Sequence, residues 1–233
     1  MNHIYAVLTV IAAYLIGSIN FAVIFTRKYN NVDVRDFGSG NAGTTNVLRV
    51  SGAKAGAATF ALDILKGAVA AGLGFIVFSL LWTQGAQLTA SSSRNVLFLP
   101  QYGAFACGFA CMLGHCFPIF FGFRGGKAVA TSVGVFAVCC PLAIILGLLS
   151  FAVSMLFSKI VSLSSLIAAL VVVVVTTIMA FQYRISLSAN PIVITAITIG
   201  CGLIVILRHL ENIKRIVKGE EKKFSVKKEN KNG

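Results

Sequence analysis

The sequence predicts an all-α protein that crosses a membrane several times. Three observations carry this prediction. Of its 233 residues, 57% are hydrophobic and only 12% are charged. Its mean hydropathy of +0.88 is far above that of a water-soluble domain. Several apolar runs approach or exceed the roughly 18–20 residues that span a bilayer as a helix. In lipid such runs must satisfy their own backbone hydrogen bonds, which favours helices.

Seven spans are expected, near residues 4–25, 55–81, 96–114, 128–140, 142–158, 163–181 and 191–207. The first lacks a basic start and a small-residue cleavage site, so it reads as a membrane helix rather than a signal peptide. Arg27 and Lys28 follow it. The second contains Asp63 and Lys66, three residues apart on one helical face. Charge inside a span is costly. It marks either an internal ion pair that fixes helix packing or a contact from Asp63 to a polar loop. Pro141 divides the apolar stretch from 128 to 158 into two short helices. One kinked helix is the competing arrangement. The positive charges favour seven crossings with the N-terminus outside. Arg27, Lys28, Arg35, Arg49, Lys54, Arg124, Lys127, Lys159 and the basic tail then share the cytoplasmic side, leaving only Arg94 and Arg184 outside. The expected organisation is one transmembrane domain, 1–210, and a basic tail, 211–233, whose start belongs to the third polar stretch described below.

Composition also excludes. The net charge is +13, with eight lysines and arginines against four glutamates from Glu211 onward. A basic tail after a membrane helix suits anionic headgroups, and no motif for nucleic acid accompanies it. The six cysteines, at 107, 111, 116, 139, 140 and 201, form no CxxC pair. Cys107, Cys111 and His115 share a helical face, but a zinc site needs a fourth ligand and a polar outer shell. Packing explains them better, and neither a metal nor a cofactor is expected. Only Asp33, Asp36 and Asp63 precede the tail as carboxylates. That argues against a paired-carboxylate mechanism or an acidic two-metal site.

Three polar stretches break the apolar pattern. The first runs from Arg35 to Arg49 as RDFGSGNAGTTNVLR, within a loop expected to last to about Lys54. Gly38, Gly40 and Gly43 permit tight turns and close approach of a ligand. Successive amides there can form a nest for an anion. Ser39, Asn41, Thr44, Thr45 and Asn46 add neutral polar groups, and Arg35 and Arg49 add guanidinium forks. The stretch reads as a phosphate or carboxylate cradle without Walker A spacing; a plain polar turn is the alternative. The second stretch runs from Gly114 to Thr131 and contains Arg124-Gly125-Gly126-Lys127, a permissive turn with cations opening a helix. The third follows the last span. His209 and Asn212 share a face there and could position and deprotonate a hydroxyl; an interfacial His is the alternative.

Together, GSGNAGTTNVLR, GHCFPIFFGFRGGKAVAT and HLENIKRIVKGEE, in this order, resemble the bacterial acyl-phosphate:glycerol-3-phosphate acyltransferases of the PlsY type. LDILKG around Asp63 and the serines after Lys159 are also similar. The resemblance implies a seven-helix enzyme of the inner membrane with its site facing the cytoplasm. It would move an acyl chain from acyl phosphate to the 1-hydroxyl of glycerol 3-phosphate, giving lysophosphatidate and phosphate. The donor would come from a soluble phosphate acyltransferase. By resemblance, Gly38, Ser39, Gly40, Asn41 and Asn46 belong to the acyl-phosphate loop. Arg49, Gly126, Lys127, His209, Asn212 and a serine at Ser162 or Ser165 bind glycerol 3-phosphate. The base is His209 or a substrate phosphate oxygen, and a covalent Ser39 intermediate is not expected. Ala128 replaces a glycine usual in the family, and Thr44 stands where alanine is common.

Three rivals make different demands. A transporter for organic phosphates should place polar groups at the bilayer midplane in repeated halves, and no internal repeat is visible. An acyl-CoA-dependent acyltransferase commonly carries His-x-x-x-x-Asp. Leu8, Phe120 and Lys214 stand five residues after the three histidines. A non-catalytic scaffold would leave three polar motifs unexplained.

Overall fold

The computed structural model describes residues 2–88, 99–182 and 189–224. The elements are α1 (Asn2–Gly17), α2 (Phe21–Asn30), α3 (Thr44–Leu88), α4 (Pro100–Cys116), α5 (Val129–Cys139), α6 (Pro141–Ser158), α7 (Val161–Gln182), α8 (Pro191–Arg208) and α9 (Leu210–Val217). Short 3-10 turns lie at Val34–Asp36 and Ile119–Phe121. Among the described residues every regular element is helical. Six stretches are long and apolar enough to cross a membrane, and Val129–Cys139 is a shorter apolar helix. At 1.5 Å per residue α5 reaches about 16 Å, roughly half a bilayer's hydrocarbon core. Pro141 does separate α5 from α6. Expected outer-loop charges Arg94 and Arg184, and the tail from residue 225, lie outside the described residues.

Two expected boundaries change. The first span is not one helix. It breaks after Gly17, and Asn20 caps α2 by accepting from the Val23 N–H at 3.2 Å. The break explains the intramembrane charge pair. Lys66 Nζ donates to the Ile19 carbonyl at the break at 2.8 Å and sits 2.8 Å from Asp63 Oδ1. A carbonyl freed from a helix in an apolar bundle needs such a donor. The second change is at α3, which starts at Thr44 rather than after Lys54. Gly52, with φ +80° and ψ −179°, kinks it where the continuous loop was expected to end. Ser, Thr and Asn open helices as readily as they form loops, so the polar composition hid the helix start.

The helix α4 is the central mast. Of its span 61% is buried, against 17% for α6, which faces outward. Its small residues let α1, α3, α5 and α8 approach closely. At the neighbouring α3–α5 crossing, a Cβ on Gly134 would meet the Ile64 carbonyl and the Ala68 amide. A Cβ on Gly67 would meet the Thr131 carbonyl. Backbone cannot yield as a side chain tip can. Gly134→Val should therefore destabilise the protein by roughly 1–3 kcal/mol, seen as a lower thermal-unfolding midpoint in detergent than wild type. An unchanged midpoint would refute this crossing.

Candidate active site

The start of α3, the ends of α4 and α8, and the starts of α5 and α7 meet around one cavity of about 900 Å³. All three polar stretches line it. Gly38, Ser39, Gly40, Asn41, Asn46 and Arg49 come from the first, Lys127 from the second, and His209 and Asn212 from the third. Ser162 and Ser165 line it from α7.

The first loop is held from beneath. Asn46 is buried, and its Nδ2 donates to the carbonyls of Val34 and Phe37, each at 2.9 Å. Its Oδ1 accepts from the Ser39 N–H at 2.9 Å. Gly38 passes over this side chain with φ +65°, and a Cβ there would strike Asn46 Oδ1. Asn46 thus shapes the loop from within it. The expected nest of amides is partly internal too. The Gly40 N–H donates to the Phe37 carbonyl and the Gly43 N–H to the Asn41 carbonyl, each at 3.0 Å. Thr44 and Thr45, in the first turn of α3, also line the cavity. A helix start offers unpaired amides to anions.

Arg35, expected as a phosphate fork, is a brace. It makes hydrogen bonds of 2.8 and 2.9 Å to Asp33. Its Nη1 donates to the Phe121 carbonyl at 2.7 Å and to the Arg124 carbonyl at 3.3 Å, joining the first loop to the second. Arg35 beside Asp33 holds that carboxyl far below the usual range. Arg208, which sequence reasoning missed, does the same for the second loop. Its Nε and Nη2 donate to the Gly126 and Gly125 carbonyls, each at 2.9 Å. The N–H groups of these two glycines bond back to the end of α4, Gly126 to His115 at 3.1 Å and Gly125 to Cys116 at 3.2 Å. Gly126 is therefore backbone scaffolding behind Lys127. His115 lies over the α3 pair, its Nδ1 3.5 Å from Asp63 Oδ1.

The cavity-facing groups form one chain. Lys127 Nζ donates to Asn212 Oδ1. Asn212 Nδ2 donates to Glu221 Oε1 at 2.5 Å, and Ser162 Oγ donates to the same oxygen at 2.7 Å. Arg215 Nε donates to Glu221 Oε2 at 2.6 Å. Ser165 instead donates to the Val161 carbonyl of its own helix at 2.9 Å, so Ser162 is the serine that reaches the third motif. Arg215 and Glu221 were also missed, although both lie within the third motif. Burial pushes Lys127 down to about 8, partly offset by Glu221. Burial, then the Lys127 charge, pushes His209 down to about 4. Burial raises Glu221, but hydrogen bonds from Arg215, Asn212 and Ser162 outweigh it and leave its pKa lowered. His209 Nδ1 lies 2.8 Å from the Val205 carbonyl. A carbonyl only accepts, so Nδ1 carries the proton and Nε2 is the ring's acceptor.

Ala128, which follows Lys127, is buried with φ +58° and ψ 13°. It keeps the left-handed turn that glycine would make without a Cβ penalty. That conformation costs an L-residue ~1–2 kcal/mol, while glycine adds ~0.5–1 kcal/mol of chain entropy to be lost on folding. With the buried methyl also lost, at about 0.8 kcal/mol, Ala128→Gly should leave stability within about 1 kcal/mol of wild type, measured as a nearly unchanged unfolding midpoint. A larger shift in either direction would contradict this balance.

The family model for glycerol-3-phosphate acyltransferase matches residues 7–219. Glycerol-3-phosphate acyltransferase 2 of Bacillus anthracis is 38% identical over 218 residues, covering 94% of this chain and 98% of that protein. Glycerol-3-phosphate acyltransferase of Listeria monocytogenes serotype 4a is 41% identical over 219 residues, covering 94% and 96%. The crystal structure of PlsY (YgiH), an integral membrane glycerol 3-phosphate acyltransferase, is similar in its glycerol 3-phosphate form. The TM-score is 0.73 with 33% identity, covering 94% of this chain and 96% of that one. Its lysophosphatidic acid form gives a TM-score of 0.71 with 32% identity, covering 94% and 95%. With the fold, the three motifs and these likenesses in agreement, the chain belongs to the glycerol-3-phosphate acyltransferase family, as an integral membrane enzyme of the PlsY type.

Proposed function

We propose that this enzyme takes its acyl group from an acyl phosphate and transfers it to the 1-hydroxyl of glycerol 3-phosphate. The observation that carries the reading is the union of two surfaces. The cationic cavity shares Val129, Val133, Leu148, Phe151 and Ser165 with an apolar cleft between α4, α5, α6, α7 and α8. A phosphate headgroup suits the first surface, and the second, a narrow cleft of about 50 Å³, offers an apolar wall to the adjoining part of a fatty chain. A PlsY structure in its lysophosphatidic acid form supports a product of this class.

In this reading Ser39, Gly40, Asn41 and the start of α3 hold the acyl phosphate. Arg49, Lys127, Asn212 and Ser162 hold glycerol 3-phosphate, and Asn46 keeps the first loop in shape. The hydroxyl oxygen attacks the acyl carbon, the carbon–oxygen bond to phosphate breaks, and inorganic phosphate leaves. His209 Nε2 accepts the hydroxyl's hydrogen bond and orients it. The proton passes to a phosphate oxygen, whose pKa of about 6 makes it a stronger base than His209 at about 4. Ser39 touches substrate without becoming acylated. No metal or cofactor takes part. The donor is delivered by a soluble phosphate acyltransferase, so the cavity faces the cytoplasm and the N-terminus lies outside, in the bacterial inner membrane. Residues 1–210 act as one transmembrane domain, and the basic residues after it attract anionic lipid.

The test is phosphate release from palmitoyl phosphate by the purified protein, with and without glycerol 3-phosphate, beside palmitoyl-CoA. Release should require glycerol 3-phosphate, be absent with palmitoyl-CoA, and fall by about 100-fold or more in Lys127→Ala. Turnover with palmitoyl-CoA alone would overturn the donor assignment. The pH dependence follows from Lys127. Its charged form is lost as pH rises through about 8, so KM for glycerol 3-phosphate should climb above that pH. In Lys127→Arg the climb should vanish, because a guanidinium stays charged. A flat wild-type profile to pH 9.5 would exclude Lys127 as the charge that binds substrate.

A further inference from the structure

The strap after α9 places a carboxylate among the cavity's anion-binding donors. The chain turns at Gly219, with φ +72°. The Glu220 N–H donates to the Arg215 carbonyl at 2.8 Å, and the Phe224 N–H donates to the Lys159 carbonyl at 2.7 Å. Residues 219–224 therefore run from α9 to the α6–α7 junction along the cavity wall. Glu221 points inward, its side chain 10% exposed against 42% for its partner Arg215. The carboxylates nearby are engaged differently. Asp63 lies beside Lys66 within the bundle, Glu211 pairs with Lys214 on the exposed face of α9, and Glu220 at the cavity rim is exposed.

The groups that hold Glu221 are a hydroxyl from Ser162, an amide N–H from Asn212 and a guanidinium N–H from Arg215. Lys127 stands one bond further back, on Asn212. Neutral and cationic donors converging on acceptor-only oxygens also suit a phosphate. A carboxylate and a phosphate cannot share these donors, because both are anionic and like charges repel at close range. We propose that Glu221 is an internal anion that fills the phosphate-binding donors of the empty enzyme and is displaced by the phosphate of the incoming substrate. The proposal rests on the reading that Ser162, Asn212 and Lys127 take the phosphate of glycerol 3-phosphate. The strap keeps the cationic groups from repelling one another while the site is empty. It also sets a threshold for entry. A dianionic phosphate can replace a monoanionic carboxylate, whereas uncharged glycerol has no charge with which to do so.

The test measures inorganic phosphate binding to the full-length protein in detergent by calorimetry, comparing wild type with Glu221→Gln. Glutamine keeps the shape and one acceptor oxygen but removes the charge. If the strap is shut in about nine molecules of ten, removing it as a competitor tightens phosphate binding roughly tenfold. KM for glycerol 3-phosphate falls in the same direction. Unchanged or weaker phosphate binding overturns the proposal, because a carboxylate that merely positions Asn212 and Ser162 would weaken the site when lost. Glu221→Ala is read the same way if the glutamine variant does not fold. Phosphate binding needs no turnover, so the two readings fail separately. Normal acyl transfer from palmitoyl phosphate with no tightening sinks the internal anion alone. Tighter phosphate binding without such transfer in wild type sinks the donor assignment alone.

Discussion

The architecture depends on one requirement, that irregular backbone set among apolar helices must find a partner for each exposed carbonyl. Three clamps meet it. Lys66 takes the Ile19 carbonyl at the break in the first span. Arg35 takes the Phe121 carbonyl, and Arg208 takes those of Gly125 and Gly126. Asn46 does the same for the first loop without a charge. Arg208 also lies over the Phe117 ring, 5.5 Å from its centroid, which gives the guanidinium an apolar and electrostatic seat. The two cavity loops can be non-helical here only because these side chains replace the hydrogen bonds a helix would have supplied.

The cations consequently divide into two kinds. Arg35, Arg208 and Lys66 have their donors turned onto backbone and hold shape. Arg49, Lys127 and Arg215 line the cavity, as does Arg208, whose Nε and Nη2 are spent on the second loop. The second kind are the ones placed to meet a substrate, and crowding them has a physical consequence. Lys127 is pushed down by burial first, and then by Arg215, Arg208 and Arg49. A site loaded with unpaired positive charge is poorly stable while empty, and Glu221 is the counterion within reach of its Lys127–Asn212 pair.

The fold class was readable because a bilayer imposes length and apolarity on every span. The short helix α5 was readable from Pro141, which ends it and opens α6. The motif positions were also readable, since glycine, amide and guanidinium groups are out of place in such a chain. What hydropathy could not show was where helices start and stop within polar sequence. Asn20 caps a helix inside an apolar run that averages as continuous, and Thr44 opens one inside a stretch rich in loop formers. Nor could the sequence separate Arg35 from Arg49 or Arg208 from Arg215. The two members of each pair have the same chemistry, and only tertiary placement decides which one is turned onto backbone carbonyls. Asp63 and Lys66 were a partial success. Helical spacing put them on one face, but their reason, the Ile19 carbonyl, lies in the break between α1 and α2.

The scarcity of carboxylates is the remaining constraint on mechanism. Asp33 is engaged by Arg27 and Arg35, Asp63 lies beside Lys66 and His115, Glu211 pairs with Lys214, and Glu221 is held by Ser162, Asn212 and Arg215. Burial, then the Lys127 charge, pushes His209 down, which favours a neutral ring that orients a hydroxyl over one that deprotonates it ahead of bond formation. A site with this inventory can stabilise and orient charge far better than it can generate a strong nucleophile. It therefore suits the activated donor we propose, whose phosphate leaving group asks of the protein only positioning and electrostatic support. The membrane setting leaves backbone amides, clamped loops and a few cations and carboxylates gathered at one end of a helical bundle, and the acyl-phosphate donor we propose asks little more of them than positioning and charge.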